Sequence, residues 1–342
     1  VDTFDRNFQF NVEHVSLAKK ADCVMVAPAS ADIIGKMANG IADDMLTTTV
    51  LACRCKIMVS PAMNTNMYDN AIVQDNIKKL AHYGMEIIEP DSGYLACGDT
   101  GKGKMPSPEV LEWYILREIA KKKDMKGMNV CVTAGPTREI IDPVRFISNN
   151  STGKMGYAIA KEAMLRGADV TLISGKVNIA PVPFVKLVDV ISAKDMYDEV
   201  VKAAEYSDII IKAAAVADYT PVETADNKIK KSDDTMAITC KRTQDILAYL
   251  GAHKPDGQFL CGFSMETEHM LENSEKKLEK KNLDMIVANN LKVKGAGFAT
   301  DTNVVTLITK EEVKELPLMS KDEVANEILT QILQRRCPEN GQ

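Results

Sequence analysis

Residues 129–156 read NVCVTAGPTREIIDPVRFISNNSTGKMG, and the fold follows from how this stretch is parsed. Residues 129–134 are a short, apolar, β-branched run of the kind that forms a buried parallel strand. The run leads directly into Gly135 and a long polar connection. A helix-like segment begins only at Lys154, with Gly153 and Gly156 at its opening. Glycines at that place let the backbone approach a phosphate closely. The stretch is not a GxGxxG fingerprint. It is not a P-loop either, because Ser151-Thr152-Gly153-Lys154 lacks the preceding glycine spacing.

Outward from this start, further apolar runs at 169–174, 184–188, 208–212, 258–263 and 285–288 alternate with helix-like segments at 154–166, 193–205 and 269–281. That rhythm predicts a parallel sheet covered on both faces. A separate series precedes it, with strands expected at 23–27, 56–60 and 86–89 and helices at 31–40, 44–53, 71–83 and 108–119. The lysine-rich residues 120–126 lie between the two series and read as a solvated helix end and linker. The expected fold class is α/β, with two doubly wound Rossmann-like domains: residues 1–118, a linker over 119–127, and residues 128–337. A doubly wound sheet opens with a strand and a Gly-rich turn, and nothing before Cys23 supplies them. With Val1 in place of an initiator Met and no signal-peptide pattern, the first domain is expected to lack its N-terminal strand and turn.

For 342 residues, 45% apolar and 26% charged composition lies in the globular range, so a disordered chain is excluded. The 42 basic and 48 acidic residues leave a net charge of −6, which gives no overall footprint for nucleic acid. No apolar run approaches the ~20 residues that span a bilayer. The 8 cysteines include no CxxC pair and the 4 histidines no HxxxH or HExxH spacing. Reduced thiols in a cytoplasmic protein without a zinc site are expected.

Three phrases in the first series carry chemistry. After the first strand, Pro28-Ala29-Ser30-Ala31-Asp32 forms a strand-to-helix junction whose hydroxyl and N–H groups suit an anion or a flavin tail, or serve as an ordinary N-cap. The second strand ends in Ser60-Pro61-Ala62-Met63-Asn64, where Asn64 offers a donor and an acceptor at the strand end that binds ligands. Residues 96–105 form a Gly-rich loop, expected to act as a flap carrying Cys97. In the second series, Ala213-Ala214-Ala215 leave room for a planar ligand and Asp218 adds a carboxylate. Asn227-Lys228-Ile229-Lys230-Lys231 is a charge run, and Lys277 and Lys281 share one helix face.

The phrases HVSLAKKAD (14–22), APASAD (27–32), PAMNTNM (61–67) and ACGDTGKGKM (96–105) together resemble the flavin-containing cysteine decarboxylases, specifically the phosphopantothenoylcysteine decarboxylase half of bacterial bifunctional coenzyme A enzymes. The resemblance implies FMN held around Pro28, Ala29, Ser30 and Met63, with His14, Asn64 and Cys97 as catalytic residues. From about Met128 to Leu333 the chain is similar to phosphopantothenoylcysteine synthetases, through residues 135–156, AAAVADY (213–219), NKIKK (227–231), GFSMET (262–267) and KKNLDMIVANN (280–290). That resemblance implies attack of the 4′-phosphopantothenate carboxylate on CTP to give an acyl-cytidylate, which the amine of cysteine then opens. Asn149 would stabilise the acyl-cytidylate and Lys228 would serve the first half-reaction. Ala214, Asp218, Lys228, Gln244, Asp245, Ile246, Phe263, Lys277 and Lys281 would contact CTP, with Mg2+ bridging its phosphates. The family's NPDI-like loop stands here as Thr243-Gln244-Asp245-Ile246, and its Asn-Asp after the last parallel strand as Asn289-Asn290. A homo-oligomer of decarboxylase trimers joined through synthetase dimers is implied. Three other readings are a chain with synthetase activity only, an NAD(P)-dependent tandem-Rossmann oxidoreductase, and a non-catalytic flavoprotein regulatory subunit. The missing GxGxxG counts against the second, and intact His14, Asn64 and Cys97 against the third.

Overall fold

The structure is a computed structural model, described over residues 13–94, 98, 100–230, 235–266, 270–290 and 300–336. The chain divides into two compact units, Val1–Lys121 and Lys122–Gln342.

The first unit runs α1 (Glu13–Lys20), β1 (Cys23–Ala29), α2 (Ala31–Asn39), α3 (Met45–Ala52), β2 (Lys56–Pro61), α4 (Thr65–Tyr68), α5 (Ala71–His82), β3 (Glu86–Ile87), β4 (Asp91–Tyr94), β5 (Thr100–Lys104) and α6 (Pro108–Ile119). Strands β1, β2 and β3 are parallel neighbours in that order. Alternation along β1 sends Val24 and Val26 towards Ile34 of α2, Val50 of α3 and Leu80 of α5, and sends Cys23, Met25 and Ala27 towards Leu111 of α6. Polar side chains start the helices: Ser30 caps α2, and Asp44 and Thr47 form a reciprocal capping box on α3.

The Gly-rich loop expected at 96–105 is, over its described part, one arm of a hairpin, because β5 pairs antiparallel with β4. Thr-Gly-Lys-Gly-Lys has little strand propensity, so the pattern concealed it. Its glycines are needed for another reason. Met63 N–H donates to Gly103 O at 3.0 Å, and a Cβ on Gly103, which sits at φ 138°, would fall 2.2 Å from Met63 O. The hairpin backbone therefore lies directly on the turn that carries Met63 and Asn64.

The second unit runs β6 (Asn129–Ala134), β7 (Arg138–Ile140), β8 (Phe146–Ser148), α7 (Lys154–Leu165), β9 (Asp169–Ser174), β10 (Lys186–Asp189), α8 (Ala193–Ala204), β11 (Ile209–Lys212), β12 (Tyr219–Pro221), β13 (Cys240–Arg242), α9 (Ile246–His253), β14 (Phe259–Glu266), α10 (Met270–Lys280), β15 (Met285–Asn290), β16 (Thr302–Asn303), β17 (Val305–Ile308), β18 (Val313–Glu315), β19 (Met319–Ser320) and α11 (Lys321–Arg336). Its eight-stranded sheet has the order β10-β9-β6-β11-β14-β15-β17-β18. All pairings are parallel as far as β15, and β17 and β18 close the sheet antiparallel. Counted in chain order, the parallel strands lie 3-2-1-4-5-6, the doubly wound order of nucleotide-binding sheets. Cys131, Ile210, Leu260 and Ile286 face Met196 of α8, Leu250 of α9 and Leu278 of α10. Helix α7 packs on β6 and β9 and against α11.

Two expectations need correction. The strand read from residue 184 begins at Lys186, because Phe184 sits at φ 62°, a left-handed conformation that a strand does not admit. The solvated linker read over 119–127 is packed in its second half. Met125 is fully buried and donates its N–H to Arg166 O at 3.0 Å, and Asp124 pairs with Arg166 at 2.8 Å.

Candidate active site

Strand order reverses between β6 and β11, and beyond that reversal the two chain segments stay joined. Ala215 N–H donates to Gly135 O at 2.9 Å and Thr137 N–H to Ala215 O at 3.2 Å. Ala214 N–H donates to Thr133 Oγ1 at 3.1 Å and Ala217 N–H to Thr137 Oγ1 at 3.0 Å. Above this lacing opens a cavity of about 400 Å3 lined by Asn149, residues 151–156 and 213–216, Asp218, residues 263–265, Asn289, Asn303 and Lys321. A crevice at the carboxyl ends of the strands, at the switch point, is where this topology binds its ligands.

Glycines do here what a dinucleotide fingerprint does, but the hairpin β7–β8 interrupts their sequence. Gly135 turns the chain at φ 72° directly after β6, and Gly153 stands at φ 81° before α7. One turn into the helix, a Cβ on Gly156 would lie 2.8 Å from Thr133 O, so only glycine lets α7 seat on β6.

Lys154 and Lys321 are the first residues of α7 and α11, where the helix dipole disfavours a cation. Both line the cavity. Lys154 pairs with Asp301 at 2.6 Å. Lys321 is 6% exposed and donates to Thr300 O, and burial, then the neighbouring Lys154, pushes its pKa down. Two ammonium groups beside the N-terminus of α7 make a ready site for phosphate oxygens. Ser264 Oγ is buried at the same cavity without a partner among the described residues. The sequence reading missed Lys321. The signal was a lysine at the first position of an otherwise acid-started helix, Lys321-Asp322-Glu323.

Of the residues expected to serve the ligation, Asn149, Ala214, Asp218 and Phe263 meet at this cavity. Asn149 Nδ2 donates to Ala215 O at 3.0 Å. The remainder lie outside the lining. Lys228 is exposed on an irregular segment, and Gln244 is exposed. Asp245 caps α9 through Ala248 N–H at 3.0 Å and pairs with Lys281 at 2.8 Å, Ile246 is buried at the start of α9, and Lys277 lies one turn before Lys281. Near Asp245 and Lys281 the second unit also buries Lys212, the last residue of β11, and burial brings its pKa down to about 8 against the opposing pull of Asp245. Among the described residues no cluster of three or more His, Cys, Asp or Glu could hold a metal.

In the first unit, β1 and β2 both end in the expected phrases. Ala62 N–H donates to Ala29 O at 2.9 Å, which ties the two junctions together. Ala29 is buried, Pro28 and Ser30 are exposed, and Ser30 Oγ accepts from Ile33 N–H at 3.4 Å. Asn64 caps α4, its Oδ1 accepting from Asn66 N–H at 2.9 Å. Ser60 Oγ and Thr65 Oγ1 flank this turn, buried without partners among the described residues, and His14 Nδ1 in α1 is in the same condition. Orphaned polar atoms at the carboxyl end of β2 fit a polar cofactor placed there. A separate hollow of about 300 Å3, lined by Lys56, Ile57 and Met85, lies at the opposite ends of the strands. Cys97 lies outside the described residues. Cys131 and Cys261 sit in strands, and burial raises both thiols, Cys131 to about 12, which keeps them protonated and unreactive.

Two α/β units, the second with a Rossmann strand order and a cavity at its switch point suited to phosphate oxygens, define a protein built to act on small molecules. The family described as "DNA/pantothenate metabolism flavoprotein C-terminal domain" matches residues 125–335, and the family described as "Flavoprotein" matches residues 1–120. The chain is 49% identical over 335 residues to the "Coenzyme A biosynthesis bifunctional protein CoaBC" of Bacillus subtilis (strain 168), covering 97% of this chain and 82% of that relative. It is 45% identical over 339 residues to a "Cysteine/Cysteine sulfinic acid decarboxylase" of an unknown prokaryotic organism, covering 97% of this chain and 94% of that one. The crystal structure of the C-terminal domain of a coenzyme A biosynthesis bifunctional protein CoaBC superposes with a TM-score of 0.53 at 45% identity, over 62% of this chain and 96% of that one. The chain belongs to the family of bifunctional coenzyme A biosynthesis proteins. It is an enzyme of that biosynthesis with a ligase and a decarboxylase activity. No helix among the described residues is long and apolar enough to cross a membrane.

Proposed function

We propose that the second unit joins cysteine to 4′-phosphopantothenate at the expense of CTP, and that the first unit decarboxylates the product with FMN. The observation that carries the ligase reading is the switch-point cavity, which brings Asn149, Asp218, Phe263, Lys154 and Lys321 around one space. In this reading the substrate carboxylate attacks the α-phosphate of CTP, pyrophosphate leaves, and the cysteine amine then displaces CMP from the acyl-cytidylate. Lys154, Lys321 and the α7 N-terminus oppose phosphate charge, and Lys228 serves the first step. Asn149 donates to the acyl-cytidylate with the amide that now holds Ala215 O. Gln244, Asp245, Ile246, Lys277 and Lys281 form the base side. Magnesium arrives on the nucleotide phosphates, which supply much of its oxygen coordination in sites of this kind.

For the decarboxylase, the junctions at Pro28, Ala29 and Ser30 and at Met63 hold the flavin, beside the orphaned Ser60 and Thr65 hydroxyls. Bound FMN supplies a two-electron acceptor for the substrate thiol. The chain's own residues bind and move protons: His14 assists proton removal from the thiol, Asn64 hydrogen-bonds the substrate carboxylate, and Cys97 returns a proton at the end. The proposed setting is the cytoplasm, and the proposed assembly is trimers of the first unit joined through dimers of the second.

Incubation of the chain with 4′-phosphopantothenate, cysteine and each nucleoside triphosphate in turn tests the reading. Pyrophosphate and CMP should appear with CTP, and CO2 should follow. Equal or faster pyrophosphate release with ATP refutes the nucleotide. The 45%-identical cysteine decarboxylase relative makes free cysteine the second reading, and CO2 released from cysteine without phosphopantothenate would establish it.

A further inference from the structure

The turn between β7 and β8 carries a carboxylate that solvent does not reach. The side chain of Asp142 is 0% exposed, although its partner Arg145 is 34% exposed. Oδ1 accepts from Val144 N–H and Arg145 N–H, both at 2.8 Å. Oδ2 accepts from Arg145 Nη1 at 2.5 Å and from Ile229 N–H at 3.2 Å.

The first three donors belong to the turn itself. The fourth lies 87 residues further along the chain. Arg145 Nη1 also donates to Ile229 O at 3.2 Å, so one Asp–Arg pair takes both backbone polar groups of Ile229, much as a neighbouring strand would. The same segment is fastened upstream, where Ala225 N–H donates to Ile141 O at 2.9 Å and Thr224 Oγ1 to Ile140 O at 3.3 Å. Lys228 stands between the two fastenings, its side chain exposed.

A turn cap alone does not need a carboxylate, since a serine hydroxyl can accept the local N–H bonds. Four donors converging on one side chain do need one, because only the ionised acid is purely an acceptor with capacity for all of them.

We propose that Asp142 is a positioning residue for acyl-nucleotide formation: together with Arg145 it grips the backbone of Ile229 and so holds Lys228 in place for the first half-reaction. The proposal rests on the role given to Lys228 above. Burial works against the charge of Asp142, but the N–H groups of Val144, Ile229 and Arg145 outweigh it and hold its pKa down to about 2, so the grip is ionised throughout the working range of pH.

The test uses the full chain and the burst of pyrophosphate released from CTP and 4′-phosphopantothenate without cysteine. Lys228→Gln is measured first, and an unchanged burst in that variant refutes the role of Lys228 itself. With Lys228 confirmed, Asp142→Asn should slow the burst about ten- to a hundredfold, the loss expected when a reacting group is misplaced by about 1 Å. The KM for CTP should stay within about threefold. Hydrogen exchange at Ala225 and Ile229 should accelerate, and Asp142→Asn added to Lys228→Gln should cause no further loss. Asp142→Ser keeps the local turn bonds but cannot reach Ile229. If it behaves like wild type, Asp142 is only a turn cap and the proposal falls. It falls equally if Asp142→Asn and Lys228→Gln act independently. Should Asp142→Asn fail to fold, the Asp142→Ser burst and exchange data decide on their own.

Discussion

Replacing Lys212 with methionine removes a charge that the second unit buries at an energetic cost. The residue ends β11 between two parallel neighbours and is 7% exposed. Burial lowers its pKa from 10.5 to about 8 although Asp245, Asp218 and Cys131 pull upward, and Lys281 adds to the lowering. A drop of that size, at 1.36 kcal/mol per pKa unit, means that the protonated side chain costs the folded state about 3 kcal/mol. The sign follows from proton binding. Between pH 8 and 10.5 the unfolded chain holds a proton that the folded chain has released, so stability rises with pH across that window. Below about pH 8 the full cost is present. Methionine has similar length and no charge, so Lys212→Met should stabilise the second unit by about 3 kcal/mol at pH 7 and by much less at pH 10. Urea denaturation at the two pH values, followed by far-UV circular dichroism, measures this, and a midpoint rise of roughly 1 M is expected at pH 7. The single tryptophan, Trp113, lies in α6, so its fluorescence follows the first unit separately. If Lys212→Met is destabilised at pH 7, or if the difference does not shrink at pH 10, Asp245 and Asp218 compensate the ammonium fully and the argument is wrong.

Three further outcomes are expected. Gly103→Ala cannot keep φ 138° and would press a Cβ onto Met63 O, so the hairpin should lift from the Asn64 turn. CO2 release should then fall about tenfold or more, while pyrophosphate release by the same chain is unchanged and serves as the internal control. Asn149→Ala should accumulate acyl-cytidylate and make little product, because loss of one donor to a developing charge costs ~3 kcal/mol. Lys228→Gln should instead be slowed about a hundredfold at the earlier step, without accumulating acyl-cytidylate, and quenched-flow product analysis of both variants separates the two steps. The lowered pKa of Asp142 makes its contribution complete above the unfolded value of about 4, to be lost as pH falls towards about 2. Exchange at Ala225 and Ile229, corrected for intrinsic rates, should therefore accelerate only within that acid window, and acceleration already at pH 6 would contradict it.

What the sequence disclosed depended on whether the relevant bonds are local. Parallel strands such as Asn129–Ala134 and Ile209–Lys212 announce themselves as apolar runs because both faces of the sheet are covered. The closing strands β17 and β18 lie outside that βαβ rhythm, and the reading placed no element after residue 288, although Val324, Ile328, Leu329 and Ile332 of α11 carry a helical period in plain view. The glycine fingerprint was also present but divided. Gly135 stands before the hairpin β7–β8 and Gly153 and Gly156 after it, so a contiguous search for GxGxxG returns nothing while the folded turn has its glycines in place.

The site shows the same divide more sharply. Ala214 and Asp218 were legible because they follow the parallel strand β11 beside the switch point, where the topology alone implies a ligand, whereas Asn149, beyond the antiparallel hairpin β7–β8, and Phe263, within β14, were legible only through the family resemblance. Lys321 was not legible, since it reaches the cavity from the helix after the last strand. Asp142 lies within residues 135–156, where nothing local marks it out. Its task lies in a bond to Ile229, 87 residues away, and no local pattern encodes a contact of that range. The sequence displays residues that line a crevice at strand ends, but it conceals side chains such as Asp142 that hold others in place, because what they grip is backbone, which every sequence has.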